Sequence, residues 1–138
     1  MYLVDTNIWL ERLLGQERSA EVGRFLDQTA TEQLMVTDFS LHSIGVILDR
    51  LERRPVLVGF VDDVFLHGGV RLLSVQPEAM HRMVTVMEQF ELDFDDAYQY
   101  VAAEQVGALI VSFDQDFDRT ERGRQEPKDI LEGNATSS

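Results

Sequence analysis

Three aspartates stand where carboxylates can act together. Asp5 directly follows the apolar pair Leu3-Val4, and Asp114 comes just after Leu109-Ile110-Val111-Ser112. Asp96 falls in the first turn of a stretch with helical character. In an open parallel sheet, functional groups gather at the C-terminal ends of strands, so Asp5 and Asp114 converge there. A helix starting at the same edge brings in Asp96. Carboxylates held this close repel one another unless protons or a cation intervene. Mg²⁺ and Mn²⁺ are hard ions that take oxygen ligands and suit phosphate substrates. Such an ion lowers the pKa of a bound water and stabilises charge on a phosphodiester.

Each acid also has a plain structural reading. Asp5, Thr6 and Asn7 precede a helix and any one of them serves as its cap. Asp95 and Asp96 favour a helix dipole. Asp114, Asp116 and Asp118 suit a solvated loop. Singly, each acid is better explained by structure; the order and strand placement of the three together favour a site.

The elements that position them follow from periodicity. Short apolar strands are expected at Leu3-Val4, Leu34-Met35-Val36, Val70 to Val75 and Leu109-Ile110-Val111. Helices are expected over Ile8 to Leu14, Ser19 to Gln28, from Thr37 or Asp38 to about Arg54, and Val56 to Leu66. Two more follow over Pro77 to Phe90 and from Asp95 or Asp96 to about Gln105, with Gly107 ending the second. Pro55 is expected to close the helix before it, because the residue preceding proline avoids the α region. Strands alternating with helices predict an α/β fold: a central, mainly parallel sheet covered by helices on both faces. A single domain over residues 1–132 is expected, with residues 133–138 as a loose tail.

Composition bounds the function. The 138 residues make one ordinary domain. There is no cysteine, which excludes thiol nucleophiles, disulfides and Cys-based zinc sites, and fits a reducing cytoplasm. The N-terminus lacks a basic region and reaches a carboxylate too soon for a signal peptide, and no apolar run is long enough to span a bilayer. With 25 acids against 12 bases the net charge is −13, and Lys128 is the one lysine. That sign opposes broad, non-specific duplex binding. It is compatible with a divalent-metal site or a basic protein partner.

The motifs resemble those of a known family. Leu3-Val4-Asp5-Thr6-Asn7 is similar to the opening strand and metal motif of PIN domains, particularly the toxin subunits of bacterial and archaeal toxin–antitoxin pairs. Asp95-Asp96-Ala97 through Ala103 resembles the family's later helix, and Ile110-Val111-Ser112-Phe113-Asp114-Gln115-Asp116-Phe117 its final acidic motif. Pro127 to Leu131 resembles its usual ending. The resemblance implies a PIN-like three-layer α/β/α fold and metal-dependent cleavage of single-stranded RNA. It implies Asp5, Asp96 and Asp114 as catalytic, metal-binding residues, with Asp116 holding an outer water and Thr6 or Asn7 in support. It further implies Mg²⁺ or Mn²⁺ as cofactor, a homodimer, and a small antitoxin partner.

One departure stands out. The family places a glutamate in the helix after the second strand, where this chain has Ser43. At about 100° per residue, the neighbours of Ser43 on that face are Phe39, Ser40, Val46, Ile47 and Arg50, none of them acidic. A serine hydrogen-bonds a metal-bound water but brings no charge. The alternative to a ribonuclease is therefore a weakened or inactive PIN-like module that binds RNA or protein. A receiver-like phosphoryl domain fits less well, since a lysine after a late strand is missing. Arg119, Arg122 and Arg124, just beyond Asp114, are the candidates for contact with an RNA backbone.

Overall fold

The computed structural model describes residues 1–136. Its centre is a four-stranded sheet in the order β3-β2-β1-β4, with every strand pairing parallel. The strands are β1 (Tyr2–Val4), β2 (Leu34–Thr37), β3 (Arg71–Leu73) and β4 (Leu109–Val111). Side chains alternate across a strand, and here the alternation sorts the core into two layers. Leu3, Met35, Leu73 and Ile110 face one cluster with Met83, Val86, Tyr100 and Val101. Val4, Leu34, Val36 and Val111 face the other with Ile8, Trp9, Phe25, Ile44 and Phe60. Both faces are covered, as a parallel sheet requires, and the three-layer α/β/α expectation holds.

The helices are α1 (Thr6–Leu13), α2 (Ser19–Gln28), α3 (Asp38–Arg50), α4 (Arg54–Val61), α5 (Met80–Phe90), α6 (Phe94–Val106) and α7 (Pro127–Thr136). Three of them begin where the site will be. Asp5 caps α1, accepting from the Thr6 amide at 2.8 Å. Thr37 caps α3, its hydroxyl accepting from the Ser40 amide at 3.1 Å. Asp93 caps α6, accepting from the Asp96 amide at 2.9 Å. Each side chain satisfies a helix donor that has no partner inside its helix.

Several boundaries differ from expectation. Pro55 opens α4 instead of closing α3: α3 stops at Arg50, and the chain turns through Glu52 at a left-handed φ of 57°. Proline suits the first helical turn, where its missing N–H would have had no partner. The helix expected through Leu66 loosens into a π-helical turn at Asp62–Leu66. Asp93, not Asp95 or Asp96, caps α6. Residues 133–136, expected as tail, continue α7, whose first turns dock through Ile130 and Leu131; one glycine costs such a helix only about 1 kcal/mol. The remainder of that tail, Ser137 and Ser138, lies outside the described residues.

One edge of the sheet is closed by backbone. The chain leaves β4, loops through the acidic motif, and returns so that Gln125 pairs beside Val111. The Gln125 amide donates to the Ile110 carbonyl at 2.8 Å, and the Ser112 amide donates to the Gln125 carbonyl at 3.0 Å. No helix among the described residues is long and apolar enough to cross a membrane.

Candidate metal centre

The C-terminal strand edge carries two layers of polar groups. The inner layer is built on Asp5, which is 6% exposed. One of its oxygens accepts from the Thr6 amide and from Gln99 Nε2, both at 2.8 Å. The other accepts from Ser112 Oγ at 2.6 Å and, at the limit of a hydrogen bond, from Asn7 Nδ2 at 3.5 Å. A carboxylate has about four acceptor sites, so Asp5 is close to saturated. Burial pushes its carboxyl above the ordinary range; the donors from Ser112, Gln99 and Thr6 pull it back, and the charge of Asp114 adds to the rise.

Gln99, with its partner Ser40, is not singled out by the sequence. It is fully buried. Its Nε2 also donates to Ser40 Oγ at 2.8 Å, and its Oε1 accepts from the Thr37 hydroxyl at 2.6 Å. Ser40 in turn accepts from Thr6 Oγ1 at 2.8 Å. A single amide thus ties β1, β2, α3 and α6 together under the site. Ser112 does the same on the other flank, accepting from Asn7 Nδ2 at 3.2 Å and from the Asp114 amide at 2.9 Å. Asn7 Oδ1 accepts from the Phe113 amide at 3.2 Å. Thr6 and Asn7 therefore sit in the supporting layer; Ser43 is half-buried on α3.

The outer layer is acidic. Asp96, Asp114 and Asp116 each place a carboxylate oxygen within 4.8 Å of the other two, and all three are half-buried. Asp5 is not in that triad; it lies beneath, near enough for its charge to act on Asp96. Asp114 caps the short 3-10 turn that follows it, accepting from the Asp116 amide at 2.9 Å. Burial pushes the Asp96 carboxyl up to about 8, and Asp114, Asp93, Asp5 and Asp116 add repulsion. Four acids crowd one another, and among the described residues the cationic side chain paired with them is Arg119, which meets Asp116 at 3.0 Å. Oxygen donors alone, negative and clustered, fit a hard divalent cation.

The arginines beyond Asp114 are largely engaged within the fold. Arg124 is 12% exposed and bonds Glu126 at 2.7 Å, the Ser112 carbonyl at 3.1 Å, and Asp118. Arg122 donates to the Ala108 carbonyl at 2.7 Å. Arg119 spans Asp116 and the carbonyls of Phe90 and Glu91. Arg18, distant in sequence, joins them through Glu126 at 2.8 Å and stacks over the Phe113 ring at 4.1 Å.

Residues 2–123 match the family model of the PIN domain. The chain belongs to the PIN domain family. Solved structures share the fold of this PIN domain at low identity. The Mycobacterium tuberculosis toxin VapC20, described as cleaving the sarcin-ricin loop, superposes with a TM-score of 0.73 at 20% identity, covering 86% of this chain and 93% of that one. FitAcB from Neisseria gonorrhoeae gives 0.74 at 20% identity, with 93% and 99% covered. A toxin–antitoxin complex from Klebsiella pneumoniae gives 0.69 at 17% identity, with 92% and 98% covered. A search of curated protein sequences finds no significant match.

Proposed function

We propose that this PIN domain is a Mg²⁺- or Mn²⁺-dependent endoribonuclease acting on single-stranded RNA. The observation that carries the reading is the outer triad of Asp96, Asp114 and Asp116 above a braced Asp5. Those three would hold the cation. Asp5 would add its charge from below, the long Asn7 contact being the one that most easily gives way to a further ligand. When bound, the ion supplies a nucleophilic water and neutralises charge on the phosphodiester. The chain's own contribution is to fix the oxygens. Gln99 and Ser112 orient Asp5, Asp93 and the start of α6 hold Asp96, and Ser112 holds the backbone of Asp114. The likeness to proteins described as a sarcin-ricin-loop-cleaving toxin and a toxin–antitoxin complex supports placing this protein in the same role. In that role it works in the cytoplasm as a homodimer restrained by a small antitoxin.

A second reading rests on Ser43. Without a carboxylate at position 43 of α3 the domain binds RNA or a protein partner and turns over little or none.

Cleavage of an end-labelled single-stranded RNA decides between them. The enzyme reading expects products with Mn²⁺ or Mg²⁺, none with EDTA, and a loss of at least about a hundredfold in Asp96→Asn and Asp114→Asn, the scale of a lost electrostatic contact to the transition state. Equal cleavage by wild type and Asp114→Asn, or cleavage that persists in EDTA, refutes it. RNA binding without products favours the second reading.

A further inference from the structure

Beside the acidic centre lies a feature that metal chemistry does not use. Phe39, Phe94 and Tyr98, with His42 and Asp38, line a pocket of about 410 Å³ at the starts of α3 and α6. The rings form a ladder: Phe39 to Tyr98 at 6.1 Å between centroids, Tyr98 to Phe94 at 6.3 Å, both tilted. Its centre is fixed. The Tyr98 hydroxyl donates to Asp38 Oδ1 at 2.7 Å and accepts from the Val75 amide at 3.0 Å. Its end is open, with Phe94 48% exposed and His42 at the rim exposed.

We infer that this aromatic pocket is a stacking platform for one unpaired base of the RNA, next to the nucleotide whose phosphate meets the acidic triad. The inference rests on the ribonuclease reading above and names how its substrate is held. Continuity is the first support. Phe94 and Tyr98 flank Asp96 on α6, and Phe39 stands one turn ahead of Ser43 on α3. Charge is the second. The net charge is −13, and Asp38 lines the pocket, so a phosphate is repelled there while a neutral planar base is not. The arginines nearest the acidic loop are already bonded within the protein. With those side chains engaged, stacking on the exposed Phe94 ring adds affinity for RNA without regard to sequence.

Helical geometry sets the spacing between the pocket and the acidic centre. Phe94 and Tyr98 are four apart and share a face, whereas Asp96 is about 200° round from Phe94. A helix with its side chains is about 10–12 Å across. The strand therefore crosses the start of α6, with the stacked base belonging to a neighbour of the scissile nucleotide. His42 offers ring nitrogens to the edge of that base.

The test uses single-stranded RNA carrying 2-aminopurine at successive positions. Wild-type protein should quench it at one or two adjacent positions only. Phe94→Ala and Phe94→Leu should weaken binding about tenfold, and Phe94→Trp should restore it. Removing the base at the quenched position should make wild type and Phe94→Leu bind alike. Phe94→Leu keeps an apolar side chain at an exposed site, so the comparison does not depend on the alanine variant folding. If Phe94→Leu binds and quenches as wild type while RNA is still cleaved, the platform is wrong and the ribonuclease reading stands. If wild type neither binds nor cleaves RNA, both are wrong. If Phe94→Leu alters only the sedimentation of the protein and not its RNA affinity, the pocket is a protein contact and the platform is again wrong.

Discussion

Replacing Gln99 with methionine isolates what the buried amide does, because the two side chains have similar length and volume. The structure gives Gln99 three side-chain hydrogen bonds and no exposure. One goes to a carboxylate, a class worth about 1.5–3 kcal/mol, and two go to hydroxyls at about 1 kcal/mol each. The Asp5 oxygen, the Thr37 hydroxyl and Ser40 would each lose a partner in a site almost closed to water. The bonds are not independent, so the expected loss is about 3–4 kcal/mol rather than their full sum. Against a stability of about 5–15 kcal/mol for a domain, that lowers Tm by roughly 10 °C or more. Urea unfolding followed by circular dichroism measures it. Gln105→Met, on the exposed side of the same helix, should stay within about 0.5 kcal/mol. A loss below about 1 kcal/mol in Gln99→Met would show that the network is decoration, and that Asp5 is positioned by Ser112 and the Thr6 amide alone.

Two further outcomes are expected. Arg124 and Arg18 hold the Glu126 carboxyl down from 4.5 to about 2. A depressed acid contributes stability above its unfolded pKa and loses it as pH falls through the folded one, so at most about 3 kcal/mol disappears between those limits. Acid titration of wild type against Glu126→Gln, by circular dichroism, should show the variant less stable at pH 6 and nearly equal at pH 2. Ser43→Glu should tighten Mn²⁺ binding about tenfold or more by calorimetry, and an unchanged Kd would mean that α3 does not face the cation.

How much of this was legible in the sequence depends on the distance over which a cause acts. Asp5 and Asp114 could be placed because one directly follows an apolar strand and the other comes three residues after one, and strand ends converge in a parallel sheet. Asp96 could be placed because acids mark a first helical turn. Gln99 could not: among Tyr98, Tyr100 and Val101 a lone amide passes for a solvent-facing position. Its partners Thr37 and Asp5 lie 62 and 94 residues away. Ser40 was hidden for the same reason. Pro55 was ambiguous in principle, since proline both ends one helix and suits the start of the next. The aromatic pocket needed α3 and α6 to be laid side by side, which no local pattern in either helix announces.

The backbone pairing of Gln125 beside β4 has an implication for variation in this chain. It fastens residues 112–125 into a closed loop at both ends, so Asp114 and Asp116 are borne on a tethered segment and need little ordering when a ligand arrives. Because the fastening uses the amide and carbonyl of residue 125 and not its side chain, this pairing leaves the side chain at that position free to vary, with proline excepted. A backbone pairing can thus hold an acidic loop in register, and comparison of residue types alone would pass over it.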